Sequence, residues 1–244
     1  MKLVIYNIAK ISLIVLLFAL ALSHQAKGAD DNFDLLWQAK TYVPHWYQGK
    51  ALAGIESEVK IVAVNRSPYA SQNLDFDWFL NFEKDFRASG VGKNYFITTL
   101  RRYENTTITV KICDAEKKLI TEKGIILSAN DGSAKILFYK QHPLLGALFN
   151  QALKDNLHLT EENIAIKAEP YFFSYKGAAP LLNYSWKMNN ANLAEAGNRN
   201  TINLKIPGLE IGSSVIGVKI TNPENIYQAL GKEKEIRINY GANF

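Results

Sequence analysis

Cysteine is almost absent from this sequence of 244 residues, since Cys113 is the only one. A single cysteine excludes an intrachain disulfide, so the chain depends on hydrophobic cores for its stability. The roughly 215 residues that follow residue 28 are enough to bury two cores of ordinary size. We interpret Cys113 as a small, partly buried residue at a strand end; an intermolecular disulfide or a reactive thiol is the alternative.

Patterns typical of catalytic and metal sites are also missing. Beyond residue 28 the histidines are His45, His142 and His158, and none has a histidine, cysteine or carboxylate at the spacing of metal ligands. The chain has no Gly-x-Ser-x-Gly turn, no phosphate-binding loop and no cysteine and histidine placed for nucleophilic catalysis. The sequence therefore predicts no catalytic, cofactor-binding or metal-binding residues, and no enzymatic activity.

Asp75 and Asp77 form the one closely spaced pair of carboxylates within a predicted strand. Asp75 and Asp77 alternate with apolar residues, so both lie on the outer face of one predicted strand. Paired carboxylates can serve acid–base catalysis or bind calcium. A second copy of this strand has Asn183 and Ser185 at the same positions, which favours a solvated polar face.

Positive charge is concentrated at the N-terminus. The formal net charge is +5, but residues 1–28 contain three lysines and no acid, and the remainder has 25 basic and 23 acidic residues. The remainder has no basic arm or stripe, and this argues against nucleic acid as a partner.

The long apolar run of the chain is residues 11–22 (ISLIVLLFALAL). Twelve apolar residues after Lys2 and Lys10 suit the core of a signal peptide and are fewer than the roughly 18 of a membrane span. The small residues Ala26 and Gly28 predict cleavage before Ala29, so residues 1–28 are a predicted signal peptide. The alternative is an uncleaved anchor over residues 3–22, which would be the chain's contact with a membrane. Both readings predict export to the extracellular space, the cell surface or a periplasm-like compartment.

One pattern occurs twice in the chain. Residues 74–81 and 182–189, which are 108 positions apart, both read Leu-x-aromatic-x-Trp-x-apolar-Asn. Alternation of period two predicts a half-buried strand with Trp78 or Trp186 on its inner face. We therefore assign both tryptophans to hydrophobic cores.

The similarity extends on both sides of the tryptophan strands. Residues 59–63 correspond to 164–168 at a shift of 105, and residues 108–112 correspond to 216–220 at a shift of 108. Ile125 and Leu127 correspond to Ile236 and Ile238, whereas residues 94–99 can pair with 201–206 in two registers. The predicted strands are residues 36–42, 59–64, 74–80, 94–99, 106–113, 119–127, 135–139, 163–169, 182–188, 201–206, 214–221 and 234–239.

This repetition predicts an all-β chain of two tandem antiparallel β-sandwiches after the signal peptide. The first domain spans residues 33–128 and the second spans residues 135–240, with the polar segment 128–133 as a short linker. Residues 146–154 and 225–231 are the segments that could form a helical turn.

The residues of the repeated strands resemble a known class of domain. The segments 76–81 and 184–189, supported by 107–112 and 215–220, resemble PKD-like and immunoglobulin-like domains of exported microbial surface proteins. The resemblance implies β-sandwiches that act as spacers, adhesive modules or parts of envelope assemblies. It also implies envelope or surface proteins as partners, including assembly of the pilus type through a free edge strand.

An apolar segment precedes each tryptophan sandwich, at residues 42–47 and 143–149. We favour the interpretation that these segments cap the sandwiches or pack at the domain junction. The other hypothesis makes His45, Trp46 and Tyr47 of the first segment partner-binding residues, because surface aromatics bind proteins and sugars.

The sequence thus predicts a non-enzymatic spacer, adhesion or assembly protein that needs no cofactor. A carbohydrate-binding module with glycans as partner is the first alternative. A secreted enzyme or inhibitor with a divergent site is the second.

Overall fold

The computed structural model describes residues 32–66, 71–102, 104–129, 134–159, 162–205, 211–228 and 230–241. The predicted signal peptide, residues 1–28, lies outside the described residues, as does most of the predicted linker. None of the described residues belongs to a helix that is long and apolar enough to cross a membrane.

Residues 33–128 form two sheets. The strands are β1 (Phe33–Ala39), β2 (Glu58–Asn65), β3 (Asp75–Leu80), β4 (Glu83–Lys84), β5 (Gly90–Val91), β6 (Tyr95–Thr99), β7 (Asn105–Cys113) and β8 (Leu119–Ser128). One sheet has the order β1-β2-β6, and the other has the order β4-β3-β7-β8 with β5 also paired to β3. The strand pairs of both sheets are antiparallel.

Residues 135–240 form two further sheets. The strands are β9 (Lys135–His142), β10 (Gly146–Ala147), β11 (Asn156–Leu159), β12 (Asn163–Tyr171), β13 (Asn183–Met188), β14 (Ala191–Asn192), β15 (Thr201–Lys205), β16 (Gly212–Thr221) and β17 (Lys232–Tyr240). Their orders are β10-β9-β12-β15 and β11-β17-β16-β13-β14. The β11–β17 pair is parallel, and the other pairs of these two sheets are antiparallel.

The prediction of an all-β chain with antiparallel sheets is confirmed. Each of the twelve predicted strands is present within a few residues of its predicted bounds, whereas β4, β5, β10, β11 and β14 were not predicted. The helical turns considered at 146–154 and 225–231 were wrong. Gly146 adopts a left-handed φ of 75° and begins β10, and the Leu148 amide donates to the Lys140 carbonyl of β9. In the described part of the second segment the Gln228 amide donates to the Asn225 carbonyl in a turn.

The tryptophan strands lie at the centres of two separate hydrophobic clusters. Trp78 and Trp186 are 0% and 1% exposed. Trp78 lies opposite Val110 and Trp186 lies opposite Val218, so the cross-strand spacing is the same in both halves. Each indole N–H donates to a loop carbonyl, that of Lys93 at 2.8 Å or of Arg199 at 2.7 Å. Each ring is therefore buried without an unsatisfied donor.

The asparagine that ends each repeated motif closes a tight hairpin. Asn81 and Asn189 have φ values of 48° and 49°, and the next residues, Phe82 and Asn190, are also left-handed at 71° and 67°. Two successive positive φ values define the type I′ turn of two-residue hairpins, in which asparagine is favoured. The Asn81 side-chain oxygen accepts from the Thr107 amide at 2.9 Å, and that of Asn189 accepts from the Val215 amide at 2.8 Å. The repeated motif thus contains both a buried strand and the first residue of the turn that ends it.

Candidate functional site at the junction of the two halves

The predicted partner-binding segment lies where residues 33–129 meet residues 134–240; this contact is called the junction below. A short stretch of backbone pairing connects the two halves. The Tyr42 amide donates to the Phe173 carbonyl at 2.7 Å, the Phe172 amide donates to the Tyr42 carbonyl at 2.6 Å, and Thr41 forms an antiparallel bridge with Ser174. The chain that continues from β1 therefore lies beside the chain that continues from β12.

An aromatic cluster covers the candidate residues Trp46 and Tyr47. Trp46 stacks on Phe149 with ring centroids 4.7 Å apart and planes at 27°, and it meets the Tyr139 and Tyr171 rings edge-on. Tyr47 meets the Tyr171 ring edge-on at 5.7 Å. Trp46 and Tyr47 are half-buried by these contacts. The two apolar segments at 42–47 and 143–149 therefore pack against each other.

This placement bears directly on the partner-binding hypothesis. Trp46 and Tyr47 are not free surface rings, because the other half of the chain covers their faces. Of the three candidate residues, His45 is the exposed one. Within the described part of the chain the Trp46 indole nitrogen is buried and has no hydrogen-bond partner.

A buried carboxylate lies at the edge of the aromatic cluster. Glu169 is 2% exposed, and its Oε1 accepts a hydrogen bond from the Tyr42 hydroxyl at 2.8 Å. Its Oε2 lies 2.8 Å from the Lys167 ammonium, so the buried charge is paired. Burial, and then the hydrogen bond to Glu169, raise the pKa of Tyr42 above its ordinary value. Tyr42 therefore stays a hydrogen-bond donor across the physiological pH range.

A network of buried amides provides a third connection. Asn225 Nδ2 donates to the Ile55 carbonyl in the other half at 2.8 Å and to Ser174 Oγ at 2.6 Å. Asn222 Nδ2 donates to the Ser174 carbonyl and to Gln228 Oε1, and Gln228 Oε1 also accepts from the Ser174 amide. Buried polar groups that are fully paired fix one relative position of the elements that carry them. The loop between β16 and β17 is therefore attached to the first half.

The histidines and acidic pairs singled out in the sequence do not come together as a reaction centre. No group of three or more histidine, cysteine, aspartate or glutamate side chains suited to a metal is present among the described residues. His142 Nδ1 accepts from the amides of Leu144 and Leu145, and His158 is exposed.

The prediction of a solvated face for the two aspartates was wrong for Asp75, which is 7% exposed because Lys117 and the surrounding strands cover it. Asp75 is bound by Lys117, and Asp77 lies 2.7 Å from the Lys84 ammonium. Cys113 is unpaired and partly buried at the end of β7, and burial raises its thiol pKa. A raised pKa lowers the thiolate fraction, so this thiol is a weak nucleophile.

Sequence reasoning missed the most exposed aromatic residues of the described chain. Phe82 is 84% exposed at the turn between β3 and β4, and Phe86 is 80% exposed just beyond β4. The detectable signal was a difference between the two copies of the motif: Asn190 takes the turn position of Phe82.

No protein-family model and no curated protein matches this chain. Several solved structures are similar to it. Fibronectin(III)-like modules of Clostridium thermocellum CbhA have a TM-score of 0.27 and 11% identity, and the match covers 84% of this chain and 94% of theirs. A central fibronectin-III array of RIM-binding protein has a TM-score of 0.26 and 9% identity over 88% of this chain and 72% of that one.

A third similar structure is the Bacteroides ovatus protein SGBP-B in complex with a mixed-linkage heptasaccharide. Its TM-score is 0.24 at 11% identity, and the match covers 85% of this chain and 47% of that one. At TM-scores below 0.3 these likenesses carry no argument about this chain. The immunoglobulin-like or PKD-like label and the tandem arrangement stay predictions.

Proposed function

We propose that this chain is an exported, non-enzymatic protein of the cell envelope or cell surface. In this proposal residues 33–128 and 135–240 are two sandwich domains held as a rod of fixed angle, and the rod presents its outer surfaces to other envelope or surface proteins. The proposal rests on the contacts that the two halves form with each other at the junction.

Three independent kinds of contact support a fixed angle. Domains joined by a linker normally move relative to each other unless their interface is large and apolar. Here the Thr41–Ser174 bridge, the stack of Trp46 on Phe149 and the Asn225–Ile55 hydrogen bond all connect the halves. A spacer or an assembly part needs fixed geometry of this kind, because its binding surfaces must keep their separation.

The two alternatives from the sequence have less support. A carbohydrate-binding platform needs exposed, roughly coplanar rings, and the rings of Trp46 and Tyr47 are packed against the second half. An enzyme needs convergent ionisable groups that are available to a substrate. Among the described carboxylates, Asp75, Asp77 and Glu169 each form an ion pair with a lysine.

A distance measurement between spin labels tests the fixed angle. Cys113→Ser removes the native thiol, and Ala115→Cys with Ala191→Cys places one label on an exposed residue of each half. We expect a single narrow distance distribution. The double change Trp46→Ala with Asn225→Ala should broaden it, whereas Phe86→Ala, far from the junction contacts, should not. A broad distribution in the unaltered junction would contradict the proposal.

A second measurement tests location and partners. Crosslinking on intact cells should connect the chain to other surface or envelope proteins, and added protease should degrade it without lysis if it lies at the outer surface. A chain that is found only as a free monomer inside cells would refute export and assembly together.

A further inference from the structure

The hairpin of β3 and β4 presents two large apolar side chains to solvent. Phe82 and Phe86 are 84% and 80% exposed. Phe82 also has a φ of 71°, a left-handed conformation that a bulky side chain adopts only with strain. Lys84 lies between them with its ammonium 5.5 Å from the Phe86 ring centroid and 2.7 Å from Asp77, so this part of the hairpin is braced.

The equivalent hairpin of the second half lacks both rings. The Asp85 amide donates to the Trp78 carbonyl and the Leu193 amide donates to the Trp186 carbonyl, both at 2.9 Å, so Asp85 corresponds to Leu193. The counterparts of the two phenylalanines are therefore Asn190 and Ala194. Asparagine is well suited to a left-handed turn, whereas the exposed Phe82 is strained and gains nothing from burial within its own chain.

The second half carries an apolar groove. A groove of about 500 Å³ opens between β15 and the ends of β16 and β17. Its floor is apolar and includes Ile202, Ile216 and Ile238, and its lining also includes the charged residues Glu195, Arg199 and Lys205.

A shifted aromatic residue explains why the groove lies there. In the first half Trp78 stacks on Phe96 of β6, and in the second half Trp186 stacks on Phe138 of β9. Ile202 takes the position of Phe96, because Phe96 lies opposite Ile61 and Ile202 lies opposite Ile166 in the corresponding strand pairs. The aromatic partner of the tryptophan has thus moved away from β15, and a smaller side chain remains on that side of the core.

We propose that the Phe82–Phe86 hairpin of one copy of this chain inserts into the β15 groove of another copy. The second half lacks the two rings, Ile202 takes the place of the larger Phe96, and both rings are exposed in their own chain, so the groove is filled by a second molecule. Charge also favours this contact. Glu83 is exposed beside Phe82, and the groove lining has two basic residues and one acid, with Arg199 held by bonds to the carbonyls of Ala196 and Glu195.

The contact joins two different surfaces, so copies add head to tail into an open chain or a ring of several copies. This inference rests on the proposed function in taking the chain as an assembly module, and it names the partner. Two aromatic side chains cover roughly 150–250 Å² each, which is far below the roughly 1,200 Å² of a stable complex. The contact is accordingly weak between free molecules and strengthens when copies are held close together.

Sedimentation equilibrium of the chain that begins at Ala29 tests the inference, at protein concentrations from about 10 μM to about 1 mM. We expect the mean mass to rise with concentration beyond that of a dimer. The hairpin variant Phe82→Asn with Phe86→Ala, and the groove variant Ile202→Phe, should each stay monomeric. Their equimolar mixture should form dimers that do not grow further, because only one hairpin and one groove remain complementary.

Two controls keep the experiment decisive. Leu144→Ser removes an apolar side chain that is 90% exposed elsewhere and should leave association unchanged. If Ile202→Phe fails to fold, as judged by circular dichroism, Ser214→Arg blocks the same groove from its lining. A monomeric parent chain at the highest concentration, or a mixture of the two variants without dimers, would overturn the inference. Crosslinks to other surface proteins together with a monomeric purified chain would leave the proposed function standing and exclude self-assembly.

Discussion

Replacing Trp46 by alanine separates the two interpretations of the junction segment. Truncating a fully buried tryptophan costs about 3–5 kcal/mol of stability. Trp46 is half-buried, and its indole N–H has no partner within the described chain, so its removal also relieves one unsatisfied donor. Trp46→Ala still removes the stack on Phe149 and the two edge-on ring contacts. We therefore expect it to lower the free energy of unfolding by about 2 kcal/mol.

Calorimetry and hydrogen exchange measure the expected effect. For a chain of this length, about 2 kcal/mol lowers the melting temperature by roughly 4–8 °C. The loss should be accompanied by faster amide exchange at Tyr42 and Phe172, whose amides donate to the carbonyls of Phe173 and Tyr42. Trp46→Phe keeps a ring for the stack and should cost less than half as much. An unchanged melting temperature together with a loss of partner binding would refute the packing assignment and restore Trp46 as a surface ligand-binding residue.

Three further predictions concern the hairpins and the buried tyrosines. Asn189→Ala should lower stability by about 1–2 kcal/mol in urea unfolding, because it removes the bond to the Val215 amide and a favoured left-handed residue; a change within about 0.3 kcal/mol would contradict the assigned role. Phe82→Asn should raise stability by about 0.5–1 kcal/mol and the reciprocal Asn190→Phe should lower it by a similar amount, and equal effects of the same sign would refute the strain argument. Burial, and then the charge of Glu169, raise the pKa of Tyr184 to about 12. The stability that neutral Tyr184 contributes is therefore complete below pH about 10 and is lost as the pH rises through about 12. Tyr184→Phe should make alkaline unfolding less steep, and an unchanged dependence of stability on pH would contradict this.

Local patterns were enough to locate the strands and their buried faces. Alternation of period two identified the strands around Trp78 and Trp186, because their inner positions meet a core. It did not predict that Asp75, on the other face, is also buried. The asparagine that ends the motif is also a local signal, because a two-residue hairpin needs left-handed residues and asparagine favours that conformation. The helical turns at 146–154 and 225–231 were wrong because apolar composition alone does not separate a short helix from a packed turn.

The functional surfaces were harder to predict. Trp46 and Phe149 are both in loops, and the sequence around each residue does not predict that their rings stack on each other. The two copies of the motif differ at Phe82 and Asn190, but the strained φ and the exposure of Phe82 appear only in three dimensions.

The sequence by itself determined the twelve predicted strands and the tryptophan cores, because these depend on residues within about ten positions of each other. The hairpins that lead to β4 and β14 were not predicted. Only the tertiary structure decided how the halves meet and which apolar residues stay exposed. The bond from Asn225 to the Ile55 carbonyl joins residues 170 positions apart, and the β15 groove arises from the placement of one aromatic ring on β9 instead of β15. Such contacts depend on which distant side chains the fold brings together, and no local periodicity encodes that choice.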